Sequence, residues 1–321
     1  MAALLQDYPI AANAGLAMLG GRDVFVETSL GRVRGHHWAA AESGSPGRVP
    51  VVICPGFTEF CEKYAAVAER LTAWGHDVLI IDWPGQGRSG HLGAMKLSVH
   101  IDDFEDHLGA ANALMVAVGF AARPVVFLGH SMGGHLALRL AARHISHSIG
   151  AIILSPMIAP PVMPVWAVRL LAAVIVGAGF SRKPALGRAP RHLSEERVFR
   201  VNNGLTRVQR YYEDQFLWFD DAPELRRSGP TAGWVHAAYA SCVATTLNKG
   251  WMKRLELPVL ALTAGDEWIV HKPSTDRMLP CLPACQHVDF AGARHELLFE
   301  TDQVQAELWR RIETFLSKLS A

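Results

Sequence analysis

Neither sign of charge dominates this chain: Lys plus Arg number 31 and Asp plus Glu 30 across 321 residues. A nucleic-acid partner, which would leave a basic excess or stripe, is therefore not expected. The locally basic stretch from Arg182 to Arg200 reads as a solvated face. Cysteines are few. Cys54, Cys61, Cys242, Cys281 and Cys285 are odd in number and irregular in spacing, so no disulfide framework is expected. A reducing compartment fits better, which places the protein in the cytoplasm, free or resting on the inner membrane. Cys281 and Cys285 have no second Cys/His pair at zinc-site spacing, and neither metal nor cofactor is expected. The opening residues MAALLQDYPIAANAG lack a basic stretch followed by a long apolar core, so no signal peptide is expected. The most apolar run, Val162 to Phe180, contains Pro164 and Arg169 and is short for a membrane span. It reads as a helix packed over a pocket or lying on a membrane surface. Repeats and low-complexity tracts are absent.

Hydrophobic residues make up 50% of the chain, enough for a large core. Val24 to Glu27 and Val33 to Trp38 alternate around Ser29-Leu30-Gly31, predicting a hairpin. Short, fully apolar, β-branched runs recur at Val51 to Cys54, Val78 to Ile81, Val125 to Leu128, Ile149 to Leu154 and Val259 to Thr263, with a weaker one at His287 to Phe290. Such runs fit strands buried on both faces of a parallel sheet. Helical spacing fills Glu59 to Trp74, Ile101 to Val118, Met132 to Arg143 and Thr301 to Leu319. The alternation predicts an α/β fold with helices on both faces of the sheet. From about Met157 to Trp251 the rhythm breaks into helical pattern with Pro and Gly punctuation. The expected organisation is a core over 1–156 and 252–321, interrupted by a helical cap over 157–251.

The strongest chemical signal is Gly129-His130-Ser131-Met132-Gly133, a G-x-S-x-G sequence between a predicted strand and a predicted helix. Strand, sharp turn and helix are what a nucleophile elbow requires, and Gly129 and Gly133 supply the small neighbours of a strained Ser131. The turn also puts the Met132 N–H at a helix N-terminus, where it can stabilise an oxyanion. A serine hydroxyl needs a base, and the base needs an acid to fix its tautomer. On an elbow of this kind both follow the serine in chain order. Asp266, just past the strand Val259 to Thr263, is the expected acid, with Glu267 in reserve. His295, in the loop after the last strand, is the expected base. The loop after Cys54 reads Pro55-Gly56-Phe57-Thr58-Glu59, and the Phe57 N–H is the expected second oxyanion donor. Gly85-Gln86-Gly87-Arg88-Ser89-Gly90 looks like a phosphate loop but lacks its lysine and its register. It reads instead as a tight turn shaping the pocket wall.

The stretch from Cys54 to Gly90, CPGFTEFCEKYAAVAERLTAWGHDVLIIDWPGQGRSG, together with GHSMGG at Gly129 to Gly134, closely resembles the lysophospholipase L2 and monoacylglycerol lipase-like group of α/β-hydrolases. Leu205 to Val235, with RYYEDQ and GPTAGWV inside it, resembles the cap of that group, and GARHELLFE at Gly292 to Glu300 its histidine loop. One departure is Pro55-Gly56 in place of the usual His-Gly. The resemblance implies an α/β-hydrolase fold with a mostly parallel central sheet flanked by helices and a helical cap. It also implies a Ser131, Asp266, His295 triad, an oxyanion hole from Phe57 and Met132, and an ester of a glycerolipid or lysophospholipid as substrate. A peptidase on the same fold stays open, with Glu213, Asp214, Asp220 and Asp221 as anchors for a substrate amine. So do a small-ester carboxylesterase and a binding protein that kept the fold. The apolar run of the cap either dips into a membrane interface or packs against the sheet domain.

Overall fold

A computed structural model describes residues 20–40, 48–187 and 192–319; the opening stretch MAALLQDYPIAANAG, where no signal peptide is expected, lies outside them. Eight strands form one sheet: β1 (Arg22–Thr28), β2 (Gly31–Trp38), β3 (Val51–Cys54), β4 (Val78–Ile81), β5 (Val125–His130), β6 (Ser148–Leu154), β7 (Val259–Ala264) and β8 (Cys285–Phe290). Their order is β1-β2-β4-β3-β5-β6-β7-β8. β1 and β2 form the predicted hairpin, and β2 meets β4 antiparallel. Every later pairing is parallel. The fold is that of an α/β-hydrolase.

Ten helices accompany the strands among the described residues: α1 (Ala65–Ala73), α2 (Glu105–Ala117), α3 (Met132–Arg143), α4 (Val165–Gly177), α5 (Leu193–Glu196), α6 (Gln209–Asp221), α7 (Ala232–Ala244), α8 (Lys249–Lys253), α9 (Lys272–Met278) and α10 (Asp302–Leu319). Strand residues alternate between two cores because side chains on a strand point to opposite faces. Val52, Leu79, Phe127 and Ile153 pack with Leu108 and Leu114 of α2 and Leu136 of α3. Val51, Ile53, Ile80 and Leu128 pack with Leu71 of α1 and Ile312 and Phe315 of α10. Full burial on both faces is why β3 to β7 read as continuous apolar runs.

Between β6 and β7 the chain forms α4 to α8. Its α6 seats Phe216 and Phe219 on Phe60, giving a small third core. The stretch from Glu59 departs from the predicted helix. A 3-10 turn, Cys61–Tyr64, precedes α1, and Glu59 lies outside both, its carboxylate turned inward. No helix among the described residues is long and apolar enough to cross a membrane.

Candidate active site

Ser131 sits between β5 and α3 at φ 56°, ψ −120°, a left-handed conformation that a non-glycine residue holds only when its surroundings over-determine it. Its N–H donates to Leu154 O at 2.9 Å, and its carbonyl accepts from Met157 N at 2.9 Å and Gly134 N at 3.0 Å. The turn is tight enough to exclude side chains beside it. A Cβ on Gly133 would stand 1.8 Å from Cys54 O, and one on Gly129 would stand 2.1 Å from Gly133 O. Both contacts are with backbone, which cannot swing aside. Gly133→Ala should therefore yield little soluble folded protein, checked by expression yield and circular dichroism against wild type.

His295 is 2% exposed, and its Nδ1 lies 2.7 Å from Glu267 Oε2. The acid expected from sequence is corrected here. Asp266 is not the carboxylate on His295. Its Oδ2 lies 3.7 Å from Arg207 and 3.8 Å from Arg294, and its side chain is 31% exposed against 3% for Glu267. The cause is the loop's anchoring. Gly265 N bonds Phe290 O and Asp266 N bonds Ala293 O, a pose that leaves Asp266 toward solvent and brings the next residue inward. Glu267 also accepts from Ile269 N at 2.7 Å and Val270 N at 3.2 Å. Burial opposes its ionisation, but His295 and these two N–H groups hold it below the ordinary carboxylate value. A carboxylate on Nδ1 makes that nitrogen the donor, leaving Nε2 of the neutral ring free to accept a proton. Among the described residues, Ser131 Oγ and the His295 ring share no hydrogen bond.

Phe57 and Met132, the two expected oxyanion donors, line a cavity of about 350 Å³ together with Ser131. Neither N–H has an acceptor among the described residues. The Phe57 loop is braced by the glycine turn. Gln86, fully buried, accepts from Thr58 N at 2.6 Å through Oε1, and its Nε2 donates to Gly56 O at 3.4 Å. That turn does not line the cavity, against expectation. Its carbonyls instead face a cation, with Arg227 donating to Gly85 O at 2.9 Å, to Gly87 O at 3.2 Å and to Gly90 O. A phosphate cradle presents N–H groups, so this turn has the wrong polarity for an anion.

A buried charge cluster behind His295 escaped the sequence reading. Glu59 accepts from Tyr64 OH at 2.6 Å, from Lys63 Nζ at 2.9 Å and from Gly56 N. Lys63 also donates to Glu296 at 2.7 Å. His130 bridges the cluster to the candidate base. Its Nδ1 lies 3.2 Å from Glu59, its Nε2 3.2 Å from His295 O, and the two rings are 4.8 Å apart. Both His130 nitrogens face acceptors, so the ring satisfies both only as a cation. Burial alone would lower its pKa, but Glu59 holds it above the ordinary histidine value. Burial likewise favours neutral Lys63, yet Glu296 and Glu59 hold it protonated well beyond its usual range. The i,i+4 spacing of Glu59 and Lys63 was the one local signal; Glu296 lies 233 residues away in sequence.

The helical insertion is tied directly to the histidine loop. His295 N donates to Gly204 O at 3.3 Å and Glu296 N to Leu205 O at 2.8 Å. Glu300, fully buried, accepts from Arg207 N and Arg294 N on one oxygen, each at 3.1 Å.

The model of the family described as serine aminopeptidase, S33, matches residues 46–302. Lysophospholipase L2 of Escherichia coli K12 is 30% identical over 289 residues, which cover 84% of this chain and 80% of that protein. The probable lysophospholipase L2 of Haemophilus influenzae is 24% identical, covering 83% of each. Among solved structures, a soluble variant of monoglyceride lipase from Saccharomyces cerevisiae with a substrate analogue superposes with TM-score 0.72 at 17% identity, over 94% of this chain and 96% of that one. The chain belongs to this α/β-hydrolase family, in its lysophospholipase L2 and monoacylglycerol lipase-like group.

Proposed function

We propose that Ser131, His295 and Glu267 hydrolyse single-chain lipid esters, of the lysophospholipid or monoacylglycerol kind, through an acyl-enzyme. The class, an ester hydrolase of the α/β-hydrolase fold, follows from family membership. The finer reading rests on one observation. The cavity at Ser131 is walled by apolar side chains of the insertion, among them Val168, Leu171, Ala172, Ile175, Trp234 and Val235. We take residues 157–251 as a cap over the core. Among the described residues no carboxylate lines the cavity, so Glu213, Asp214, Asp220 and Asp221 do not offer a peptide amine an anchor there. A hydrocarbon chain gains about 0.8 kcal/mol per buried methylene in such a site, and E. coli lysophospholipase L2 carries that substrate class in its name.

In this reading His295 Nε2 takes the Ser131 proton as Oγ attacks the ester carbonyl. The Phe57 and Met132 N–H groups hold the oxyanion, a donor of this kind being worth about 2.7–4 kcal/mol. His295 then gives the proton to the leaving alcohol, and water repeats the route on the acyl-enzyme. Glu267 fixes the imidazole and stabilises its cation. Ser131→Ala should lose turnover of a lysophospholipid by about 10⁶-fold while keeping its fold, and should lose labelling by a fluorophosphonate probe. Wild-type turnover in that variant overturns the proposal. Aminoacyl p-nitroanilides, tested beside the lipid esters, should be poor substrates.

A further inference from the structure

One buried side chain grips the backbone on both sides of Phe57. Gln86 Oε1 accepts from Thr58 N at 2.6 Å, and its Nε2 donates to Gly56 O at 3.4 Å. These atoms belong to the two peptide units that meet at the Phe57 Cα. A trans peptide is planar, so its C=O and N–H point to opposite sides. Holding Gly56 O toward Gln86 therefore aims the Phe57 N–H away from it, and that N–H has no acceptor among the described residues. The loop is strained as well. Thr58 stands at φ 66°, a left-handed conformation in which a β-branched residue is an outlier. Such a backbone persists only where its surroundings hold it, and the Thr58 N–H is held by Gln86. An amide suits both tasks because it carries a donor and an acceptor at one end.

Gln86 is in turn fixed from the insertion. Gln86 N donates to Trp83 O at 2.8 Å, and Trp83 Nε1 donates to Pro55 O at 2.8 Å. Arg227, buried between α6 and α7, donates to Gly85 O at 2.9 Å, to Gly87 O at 3.2 Å and to Gly90 O. Gly85 O and Gln86 N share one peptide unit, so Arg227 and Trp83 pin it from both ends. A guanidinium fork can span several acceptors where an ammonium is a single point. From beneath, Asp82 fills the turn: a Cβ on Gly87 would stand 2.3 Å from its carboxyl.

We propose that Gln86 is the positioning residue of the oxyanion hole and that Arg227 lets the insertion hold it in place. Neither residue lines the cavity; both act through the direction of the Phe57 N–H. The inference rests on the reading of that N–H as an oxyanion donor. The insertion that walls the acyl site thereby also aligns a group that stabilises the transition state.

The test is steady-state kinetics of the full chain on a water-soluble short-chain ester, with competent sites counted by complete fluorophosphonate labelling. Gln86→Met removes both polar atoms and should lower kcat per site by about 100-fold, the cost of a misplacement near 1 Å. KM should change by less than about threefold, because the lost interaction belongs to the transition state. Affinity for an alkyl trifluoromethyl ketone, whose adduct with Ser131 carries the oxyanion, should fall in parallel with kcat/KM. A residue that merely packs would lower the number of competent sites and leave per-site kcat and ketone affinity alone. Arg227→Met should lower kcat per site by about tenfold, and the double variant should be no slower than Gln86→Met, since coupled residues are not additive. Arg227→Met carries the test by itself where Gln86→Met does not fold. A per-site kcat within about threefold of wild type in either variant, a loss confined to KM, or fully multiplicative losses in the double variant overturns the proposal. Ser131→Ala is run alongside. An inactive Ser131→Ala beside an unimpaired Gln86→Met removes the role of Gln86 alone, whereas turnover in Ser131→Ala removes the catalytic reading and this role with it.

Discussion

Glu267→Gln should lower kcat by about 10⁴-fold, the size seen when the acid of such a triad is made neutral in place, while Asp266→Asn should change it by less than about tenfold. The contrast follows from which carboxylate touches the imidazole. Glu267 Oε2 lies 2.7 Å from His295 Nδ1, with both side chains 3% exposed. A glutamine there can present an N–H to Nδ1, which drives the proton to Nε2 and removes the base. Asp266 faces Arg207 and Arg294 at 3.7 and 3.8 Å, a partly exposed arrangement worth little. Steady-state kinetics of the two variants on one ester decide it. A large loss in Asp266→Asn with a small loss in Glu267→Gln would reverse the assignment.

Lys63→Met should destabilise the fold by about 3–5 kcal/mol, the usual cost of stranding a buried charge. Lys63 is 8% exposed and sits between Glu59 and Glu296, each 6% exposed. Without it Glu59 keeps the His130 cation, the Tyr64 hydroxyl and the Gly56 N–H, and Glu296 loses its buried cation. Urea unfolding at neutral pH measures the loss, and a change under about 1 kcal/mol would refute it. The sign with pH is fixed by Glu59. Burial alone would raise its pKa, but Lys63 and His130 hold it well below the ordinary 4.5. Its contribution is complete above that ordinary value and is lost as the pH falls through its lowered folded value. The stability gap between wild type and Lys63→Met should therefore narrow on acidification. Activity should fall with the variant too, because His130 carries the cluster to the His295 carbonyl.

Legibility in the sequence tracked how local the physics was. β3 to β7 were readable because burial on both faces demands continuous apolar residues, and α3 because its start is fixed by the glycines around Ser131. Ser131 and His295 stood out in sequence by their places after strand ends, and the structure places them after β5 and β8. The acid was not, because two adjacent carboxylates differ only in which way a loop turns. That turn is set by backbone bonds from Gly265 and Asp266 to Phe290 and Ala293, partners that no spacing rule names. The part played by Gln86 was not legible for a related reason: its side chain braces the Phe57 loop from 28 residues away.

The bonds from Gly204, Leu205 and Arg207 to the segment His295–Glu300 have a mechanical consequence. That margin of the insertion is tied to the histidine loop by the His295 and Glu296 amides and by Glu300, which gathers the Arg207 and Arg294 amides. Lifting it would strip buried bonds to a charged group, each worth about 1.5–3 kcal/mol, and would drag the imidazole off its acid. On the proposed reading, a lipid tail enters past another part of the insertion, such as α4, whose cavity-lining side chains are apolar. Excising residues 157–251 would remove the carbonyl partners of the His295 and Glu296 amides and so loosen the histidine loop.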